Sequence, residues 1–459
     1  MNEGRSKRRS SKIAALLLAA LLLQACSASP AAPQSGRGAP SESVSAPAAP
    51  APEEAAEADA APEAAEEAPA EKTADDGVLV EQILGHAYRG YLITVLDPAR
   101  VILSCVPEDL GRRSRSVEEY VSLFGGVAGV NAGGFLDVDG KGNGASPDSL
   151  VVYEGEIYCE QRGTRKGFAG LDGEHRLVVA LEEREQILEA GIEYAACFGP
   201  VLIVDGRIAD REALDGYLNP RTAIGQRADG AILLLIIEGR QLTSMGASCL
   251  DLAEILLAHG AVTACNLDGG RSTAMWYGGQ YLRSPADVQS RNVPNAFIVL
   301  PSADGLPVLP AEELPVWTPE EGRAPAGEAA PLSEEDRARL EDFAGSFAEA
   351  YIAYLGARSS GYRAGYSILR RQVVPDSALD MRIRNAFGGM ELTRNGKNLL
   401  QSLSVEDLRP AGEGAWSCSM RFTVRSIFRE YEVETELAMR VSVVERNGKL
   451  LADDLWFYK

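Results

Sequence analysis

The sequence is poor in histidine, in aromatic residues and in positive charge. Its 459 residues include three histidines that are far apart in the chain, which argues against a histidine-rich zinc site. Aromatic residues make up 7%, so any hydrophobic core must be mainly aliphatic. With 45 basic against 66 acidic residues, the net charge of -21 disfavours binding to the phosphate backbone of nucleic acids. Catalysis would therefore rely on carboxylates, arginines and hydroxyls.

Cysteine is also sparse. The seven cysteines are scattered singly, and several lie in apolar runs, where a buried thiol explains them as well as a disulfide does. Cys265 lies beside the most suggestive motif of the chain. A nucleophilic cysteine needs a histidine partner that the local sequence lacks, so a core position is the favoured interpretation of Cys265.

Residues 1–25 have the pattern of an export signal. Arginines and lysines in residues 1–12 precede an apolar run from Ile13 to Leu23, which is too short to span a bilayer. The sequence Leu23-Gln24-Ala25-Cys26 resembles the lipobox of bacterial lipoproteins. We therefore expect lipidation of Cys26 and an extracytoplasmic protein anchored to a bacterial cell membrane. An uncleaved anchor with an incidental cysteine is the alternative.

Composition divides the remaining chain into two folded segments. Residues 26–78 consist mostly of alanine, proline, glutamate and serine, which predicts a disordered, extended tether. A similar bias in residues 306–331 predicts a linker. The folded segments are then 79–305 and 332–459, and a hydrophobic content of 46% is sufficient for both. We expect 332–459 to fold on its own and to be dispensable for chemistry.

The first segment has the pattern of an α/β domain. Helices are predicted from Ser116 to Phe124 and from Ser248 to His259, the second between a serine cap and a glycine. The run from Ala231 to Ile237 shows no alternation, so it should be buried on both faces. We predict a central mixed sheet with flanking helices, built from strands near residues 91–96, 101–106, 149–153, 177–180, 201–204, 231–237, 261–267 and 296–300.

The second segment has the pattern of a smaller α+β domain. A long amphipathic helix is predicted after Ser333. Long β-rich runs follow, and Arg446-Asn447-Gly448 between two of them is a hairpin signal. Helices followed by a meander are typical of cystatin-like and nuclear-transport-factor-like folds, an architecture that does not by itself indicate function.

Polar, glycine-rich stretches interrupt the first segment at residues 130–135, 198–200, 219–225 and 265–273. In the last of them, a predicted strand leads into Asn266 and Asp268. Gly269 and Gly270 then free the backbone to turn and to approach a ligand closely. From the residues alone, a turn capped by Asp268 and a catalytic carboxylate explain the stretch equally well.

The order of these stretches resembles the phosphodiester glycosidase domain family, which includes the uncovering enzyme, an N-acetylglucosamine-1-phosphodiester alpha-N-acetylglucosaminidase. The resemblance covers about residues 79–301. It rests on residues 131–135, 198–200 with 205–206, 221–225, 238–240 with 244–246, 266–270 and 291–296. It implies a hydrolase that cleaves a sugar-1-phosphodiester in an envelope or extracellular glycan, with the exopolysaccharide-related label that bacterial relatives carry. A non-catalytic glycan-binding envelope lipoprotein is the alternative.

The resemblance points to the block around Asp268, and the placement of residues in the polar stretches leads us to expect individual roles. We expect Asp268 to be the catalytic carboxylate, as nucleophile or as base toward water, with Asn266 and Asn131 positioning it or the sugar. Asp268 follows a predicted buried strand, where ligands commonly bind in α/β sheets. The residues expected to bind substrate are Arg221, Thr222, Glu238, Gly269, Gly270, Arg271, Ser272 and Arg291.

Several of these residues carry open alternatives. Arg221 and Arg291 either bind the substrate phosphate or brace the fold through buried ion pairs. Arg271 departs from the family pattern, because the family usually has glycine before the serine, and it either narrows the pocket or contacts the phosphate. Glu238 stands where the family usually has aspartate, and it is the next candidate if Asp268 is not catalytic.

Residues 137–148 imitate a calcium-binding loop through Asp137, Asp139, Asn143 and Asp148. Lys141 occupies a position where such a loop needs an oxygen ligand, so we expect a solvated turn rather than a bound calcium ion. No other cofactor or metal is expected. The expected partners are a phosphodiester-linked glycan and, through the lipid anchor, a membrane; nucleic acid is not expected, and no protein partner is indicated.

Overall fold

The computed structural model describes residues 77–138, 141–159, 167–179, 184–282, 291–302, 310–322, 331–356, 359–389, 397–427 and 432–459. The export signal, Cys26, nearly all of the tether and Asp139 lie outside these residues. Within the described part of the chain, no helix combines the length and apolar character needed to cross a membrane.

An eight-stranded sheet forms the centre of the first segment. Its spatial order is β11 (Arg207–Ile208), β10 (Val201–Val204), β14 (Ala261–Leu267), β12 (Arg221–Arg227), β13 (Ile232–Ile237), β2 (Tyr88–Val95), β1 (Val78–Gly85) and β18 (Val316–Trp317). Its neighbouring strands pair antiparallel, except that β1 and β18 are parallel. Strand β13 is buried along its whole length, as its unbroken apolar run predicts.

Two five-stranded sheets and short helices complete this segment. The second sheet has the order β16 (Gln280–Tyr281), β15 (Met275–Tyr277), β4 (Ala128–Asn131), β17 (Ala296–Val299) and β3 (Val101–Ser104). The third has the order β6 (Glu156–Cys159), β5 (Val151–Tyr153), β9 (Ile192–Cys197), β7 (Phe168–Asp172) and β8 (Leu177–Val179). The helices are α1 (Val117–Leu123), α2 (Arg184–Glu189), α3 (Arg211–Leu214) and α4 (Cys249–Ala258).

The mixed α/β class is therefore confirmed, but its arrangement differs from the prediction. Several sheets with few helices replace a single central sheet with flanking helices. The large sheet packs on the second sheet, since Leu234 and Leu267 share a core with Val130 and Phe297. The other face of the large sheet carries α4. As a result, the polar stretches at residues 130–135 and 265–273 lie where strands of two different sheets end. The first follows β4 of the second sheet, and the other follows β14 of the large sheet.

The C-terminal segment consists of helices followed by a four-stranded antiparallel sheet. The helices are α5 (Glu334–Gly356), α6 (Ser359–Arg370) and α7 (Ala378–Gly389), and the strands are β19 (Lys397–Gly412), β20 (Ala415–Ile427), β21 (Glu432–Arg446) and β22 (Lys449–Phe457). Asn447 and Gly448 adopt φ angles of 54° and 72°, which the predicted hairpin turn requires. The sequence predicts the long helix after Ser333, the hairpin and a meander that follows the helices, but it does not predict strand β19.

The C-terminal segment shares its core with the first segment. Leu84 and Met245, from the first segment, lie in the same buried cluster as Phe347 and Leu455. Strand β18 lies within the expected linker and pairs with β1. Apolar side chains of the first segment therefore contribute to the core of the C-terminal segment, and whether residues 332–459 fold on their own stays a prediction. Whether the C-terminal segment is dispensable for chemistry stays a prediction.

Candidate active site

The end of β14 meets the end of β4 at Asp268. The main-chain N–H of Asp268 donates to the carbonyl oxygen of Ala132 at 2.9 Å, and its own carbonyl oxygen accepts from Asn131 Nδ2 at 2.6 Å. Asn131 Oδ1 accepts from Thr222 Oγ1 at 2.9 Å and from the main-chain N–H of Ala274 at 3.0 Å. The fully buried Asn131 therefore uses both ends of its amide to join the two sheets beside Asp268.

Asn266 lies against the Phe198-Gly199-Pro200 stretch. Its main-chain N–H donates to the carbonyl oxygen of Pro200 and its carbonyl oxygen accepts from the N–H of Gly199, both at 2.9 Å. Its Nδ2 donates to the carbonyl oxygen of Gly199 at 2.6 Å. Asn266 Oδ1 is buried and has no hydrogen-bond partner among the described residues. A buried acceptor two residues from Asp268 is suited to a ligand hydroxyl, because such groups are normally paired.

Gly269 and Gly270 turn the chain away from the sheet after Asp268. Gly270 has a φ angle of 64°, and its N–H donates to the carbonyl oxygen of Pro220 at 2.8 Å. A Cβ atom at Gly269 would lie 2.8 Å from the same oxygen, so this approach requires glycine. Arg271 is exposed and Ser272 is buried in the short 3-10 turn that follows.

Arg291 lies within electrostatic reach of Asp268. Its Nη1 donates to Asp137 Oδ2 at 2.6 Å and its Nη2 to the carbonyl oxygen of Gly142 at 2.8 Å. The hydrogen bond to Asp137 raises the pKa of Arg291 against the effect of burial, and the charges of Asp137 and Asp268 raise it further. Arg291 therefore braces the loop through Asp137 and Gly142, and it also lies close enough to Asp268 for their charges to interact.

The calcium-like loop is organised by hydrogen bonds and by Arg291. Asp137 Oδ1 accepts the N–H of Gly142 at 2.7 Å. The hydrogen bond from Arg291 holds the pKa of Asp137 below its ordinary value despite burial, and the N–H of Gly142 and the charges of Arg291 and Arg271 contribute. Asn143 Oδ1 accepts the N–H of Ala145 at 3.0 Å. Among the described residues, no cluster of histidine, cysteine and carboxylate side chains is arranged to hold a metal ion.

Arg221, at the start of β12, bonds to backbone carbonyls rather than to a carboxylate. Its Nε donates to the carbonyl oxygen of Ala247 at 3.1 Å, and its Nη2 donates to that of Tyr217 at 2.9 Å. These contacts hold two loops together at the border of the sheet. Among the described contacts, Arg221 therefore braces the fold through main-chain carbonyl oxygens and not through an ion pair.

The structure separates Glu238 from Asp268. Glu238 follows β13, two strands from β14, which corresponds to about 10 Å at the usual strand spacing. Its Oε2 accepts from Arg89 Nε at 3.3 Å. Burial is the largest single effect and lowers the pKa of Arg89, but the charges of Glu238 and Tyr91 and the hydrogen bond to Glu238 together raise the net pKa. The buried Glu238 therefore braces the sheet, and its expected contact with substrate stays a prediction.

Two polar residues beside the stretch at residues 131–135 were not assigned to the site from the sequence. Asn295 is fully buried, its Oδ1 accepts the N–H of Gly133 at 2.8 Å, and its Nδ2 has no partner among the described residues. Asp148 lies beside Gly134, where an added Cβ would be 2.9 Å from Asp148 Oδ1. The only available signals were the family-like stretch that contains Asn295 and the loop in which Asp148 resembles a calcium ligand.

Cys265 has the environment of a core residue. It is fully buried, and burial raises the pKa of its thiol far above the ordinary value. Cys197 lies nearby, and burial, with a contribution from Asp148, raises its pKa to about 12. Both thiols are therefore protonated at neutral pH, which disfavours a nucleophilic role.

Residues 124–300 match the family model described as phosphodiester glycosidase, which confirms the expected resemblance. A prophage-derived protein of Bacillus subtilis, YomE, is 35% identical over 172 residues, which are 36% of this chain and 27% of that protein. Bovine N-acetylglucosamine-1-phosphodiester alpha-N-acetylglucosaminidase is 26% identical over 232 residues, 45% of this chain and 42% of that protein. The solved catalytic domain of the zebrafish enzyme is 17% identical with a TM-score of 0.43, covering 50% of this chain and 85% of that domain. The chain thus spans less than half the length of the Bacillus subtilis and bovine relatives.

Proposed function

We propose, from the membership of residues 124–300 in the phosphodiester glycosidase family, that this chain is a hydrolase acting on a sugar-1-phosphodiester. The bond cleaved joins the anomeric carbon of the sugar to a phosphodiester oxygen. The observation that carries the proposal is the position of Asp268, which is held by both sheets through its main chain and lies within reach of the charge of Arg291.

In the proposed reaction, Asp268 acts at the anomeric carbon as a nucleophile or activates water as a base. The bond from the anomeric carbon to the phosphate oxygen breaks and a phosphate monoester leaves. The hydroxyl of water ends on the sugar, either directly or by cleaving an ester first formed between the sugar and Asp268, and the remaining proton of that water passes to the solvent or the leaving phosphate. This leaving group is stable as an anion, so it needs less help from a general acid than the alcohol released by most glycosidases. Arg291 and Arg271 are placed to offset its charge, which is the usual role of arginine beside phosphate.

The asparagines have distinct roles in this proposal. Asn131 holds the main chain of Asp268 and is fully engaged by protein partners, so it positions the carboxylate. Asn266 has a buried oxygen with no hydrogen-bond partner among the described residues, so it is the proposed acceptor for a sugar hydroxyl. Gly269 and Gly270 keep the adjoining wall of the site free of side chains.

The proposal also includes a location. The charged and apolar pattern of residues 1–25 and the lipobox-like sequence before Cys26 support export and lipid anchoring. Residues 26–78 would then act as a spacer between membrane and enzyme, and the substrate would be an envelope or extracellular glycan. For the C-terminal segment, its helices followed by an antiparallel meander support a cystatin-like or nuclear-transport-factor-like fold.

The direct test is hydrolysis by the purified protein of a panel of sugar-1-phosphodiesters that differ in sugar, anomer and aglycone. We expect release of free sugar together with a phosphate monoester, and the loss of both products in the Asp268→Asn variant. Binding of the same compounds without hydrolysis by the wild-type protein would contradict the proposal and favour the glycan-binding alternative.

A further inference from the structure

Arg382, on helix α7 of the C-terminal segment, contacts the start of helix α4 in the first segment. Its Nη1 donates to Asp251 Oδ1 at 2.9 Å, and its Nη2 donates to Asp251 Oδ2 and to the carbonyl oxygen of Gly246, both at 3.3 Å. Both side chains of this ion pair are 13% exposed. Because the ion pair is bidentate, it fixes the orientation of the guanidinium relative to the carboxylate as well as the distance between them.

Asp251 links Arg382 to the cap of helix α4. The N–H of Ser248 donates to Asp251 Oδ2 at 2.7 Å, and the N–H of Asp251 donates to Ser248 Oγ at 3.1 Å, which is a complete capping box. One carboxylate therefore serves the helix cap and the arginine together. Arg382 thus fixes the chain from Gly246 to Asp251.

This fixed segment holds the loop that leads into β12. Ala247 and Asn219 exchange main-chain hydrogen bonds at 3.0 and 3.1 Å, and Arg221 Nε donates to the carbonyl oxygen of Ala247. Gly246 adopts a φ angle of 109°, and a Cβ atom there would lie 2.8 Å from the backbone of Asn219. The backbone of residues 246–247 is therefore in close contact with the backbone of Asn219.

The same loop supports the turn after Asp268. Pro220, next to Asn219, accepts the N–H of Gly270 through its carbonyl oxygen at 2.8 Å. Gly269 packs against that oxygen so closely that it has no room for a side chain. Contacts thus run without a gap from Arg382, through residues 246–248 and 219–221, to the turn that carries the candidate carboxylate.

Further contacts bring the C-terminal segment under both loops. Tyr351 Oη donates to the carbonyl oxygen of Leu242 at 3.0 Å. Leu218 and Met245 are buried in the same cluster as the side chains of helix α5. Residues on either side of the Asn219–Ala247 contact therefore rest on the C-terminal core.

We infer that Arg382 is a positioning residue for the proposed active site, holding the loop at residues 219–221 against the Gly269–Gly270 turn so that Asp268 stays aligned. The inference rests on the proposed function for its catalytic meaning. It gives the C-terminal segment a part in building the site, although that segment lies outside the family match.

The test compares Arg382→Met with Arg384→Met in the full chain. Arg384 lies on the same helix, and its Nη2 donates to Asp376 and Asp380 of the C-terminal segment, so its loss is a matched control. We expect Arg382→Met to lower kcat at least tenfold with little change in KM, and Arg382→Lys to recover part of the loss. Arg384→Met should keep kcat within about twofold. Equal kcat values for the two methionine variants would overturn the inference.

A second measurement does not depend on turnover. Amide hydrogen exchange at Gly270 reports the bond to Pro220, and we expect faster exchange in Arg382→Met than in Arg384→Met. Unchanged exchange at Gly270 would count against the positioning role even if the wild-type protein hydrolysed no phosphodiester. Absence of hydrolysis by the wild-type protein with the expected exchange difference would instead contradict the proposed function alone.

Discussion

The side-chain amide of Asn131 donates a 2.6 Å hydrogen bond to the main-chain carbonyl oxygen of Asp268. The other end of that amide accepts hydrogen bonds from Thr222 and Ala274, so its orientation is fixed. Asp268 thus follows a strand of one sheet while a residue of another sheet holds its main chain. The position of the carboxylate depends on how the two sheets meet.

Replacing Asp268 by asparagine should abolish most of the turnover while preserving the fold. The main-chain hydrogen bonds of Asp268 do not involve its carboxylate, so the local backbone is retained. Loss of an essential acid-base or nucleophilic group costs on the order of a hundredfold or more. Turnover and melting temperature of Asp268→Asn measure the two effects, and near-normal turnover in the folded variant would move the chemistry to another carboxylate.

Glu238→Gln is the matched comparison for Asp268→Asn. It removes the charge that faces Arg89 in a buried position, so we expect a loss of about 1–3 kcal/mol in the free energy of unfolding. Turnover per folded molecule should stay close to that of the wild-type protein. A hundredfold loss of turnover with normal stability would instead identify Glu238 as a catalytic group.

Asn131→Asp should be strongly destabilising although it changes one atom. It places a carboxylate oxygen where an N–H now faces the carbonyl oxygen of Asp268. A buried, unpaired acceptor and charge at this point should cost about 2–4 kcal/mol in urea unfolding. Thr222→Val removes one hydrogen bond to the same side chain and should cost about 1 kcal/mol. Equal losses of stability in Asn131→Asp and Thr222→Val would argue against the proposed importance of the hydrogen bond from Asn131 to Asp268.

Arg291 and Arg221 should respond differently to lysine. Arg291→Lys keeps a charge near Asp137 and Asp268 but loses the guanidinium fork, so turnover of phosphodiesters should fall about tenfold or more. Arg221→Lys loses bonds to two backbone carbonyls and should mainly lower the melting temperature. The reverse pattern would assign the phosphate contact to Arg221.

The ion pair between Asp251 and Arg382 should make stability depend on acid pH. Burial alone would raise the pKa of Asp251, but the charge of Arg382 and hydrogen bonds from Arg382 and Ser248 hold it below the ordinary 3.8. A carboxyl with a lowered pKa in the folded state contributes stability that is present above its unfolded pKa and lost as the pH falls through the folded pKa.

Urea unfolding between pH 7 and pH 2 measures this contribution. We expect Asp251→Asn to be less stable than the wild-type protein at pH 7, and the difference to shrink as the pH falls below about 4. A difference that stays constant down to pH 2 would mean that the charge of Asp251 does not stabilise the fold.

Cys26→Ser tests the lipid anchor. If Cys26 is lipidated, the variant should be released from membranes or remain as an uncut precursor, because the modification requires the thiol. Membrane fractionation and the mass of the N-terminal peptide distinguish these outcomes from wild-type behaviour. A correctly processed variant that still sediments with membranes would place the anchor elsewhere.

The apolar strands of the first segment were predictable, but polar β12 was not. Runs such as Ile232–Ile237 have no other plausible structure, because their residues need burial on both faces. Arg221–Arg227, by contrast, has polar residues at both ends and a glycine near its middle and gives no clear strand signal, yet it pairs with β13 and β14 at the centre of the sheet. Tertiary pairing decides its structure, and no local pattern records that pairing.

The structure brings Asn131, Asn266, Thr222 and Asp268 to one border of the sheets, whereas their roles in catalysis and substrate binding stay predictions. The sequence interpretation placed Asp268 where the chain leaves a central mixed sheet, at the edge where ligands commonly bind in α/β folds, whereas β14 lies between antiparallel neighbours. The residues meet because β4 of the second sheet ends beside β14, a contact between distant parts of the chain. Such contacts follow from long-range packing and have no periodic signature in the sequence.

The pairing of β1 with β18 bears on how the protein is made. Gln82 and Ile83 pair with β2 on one side and with Val316 and Trp317 on the other, so the outer edge of β1 stays unpaired until nearly the whole first segment has emerged. A chain delivered with its N-terminus first therefore carries an open strand edge for most of its synthesis, the kind of edge that recruits other chains. Long-range pairings of this kind form late and slowly. Biogenesis of this protein should accordingly depend on factors that shield nascent chains.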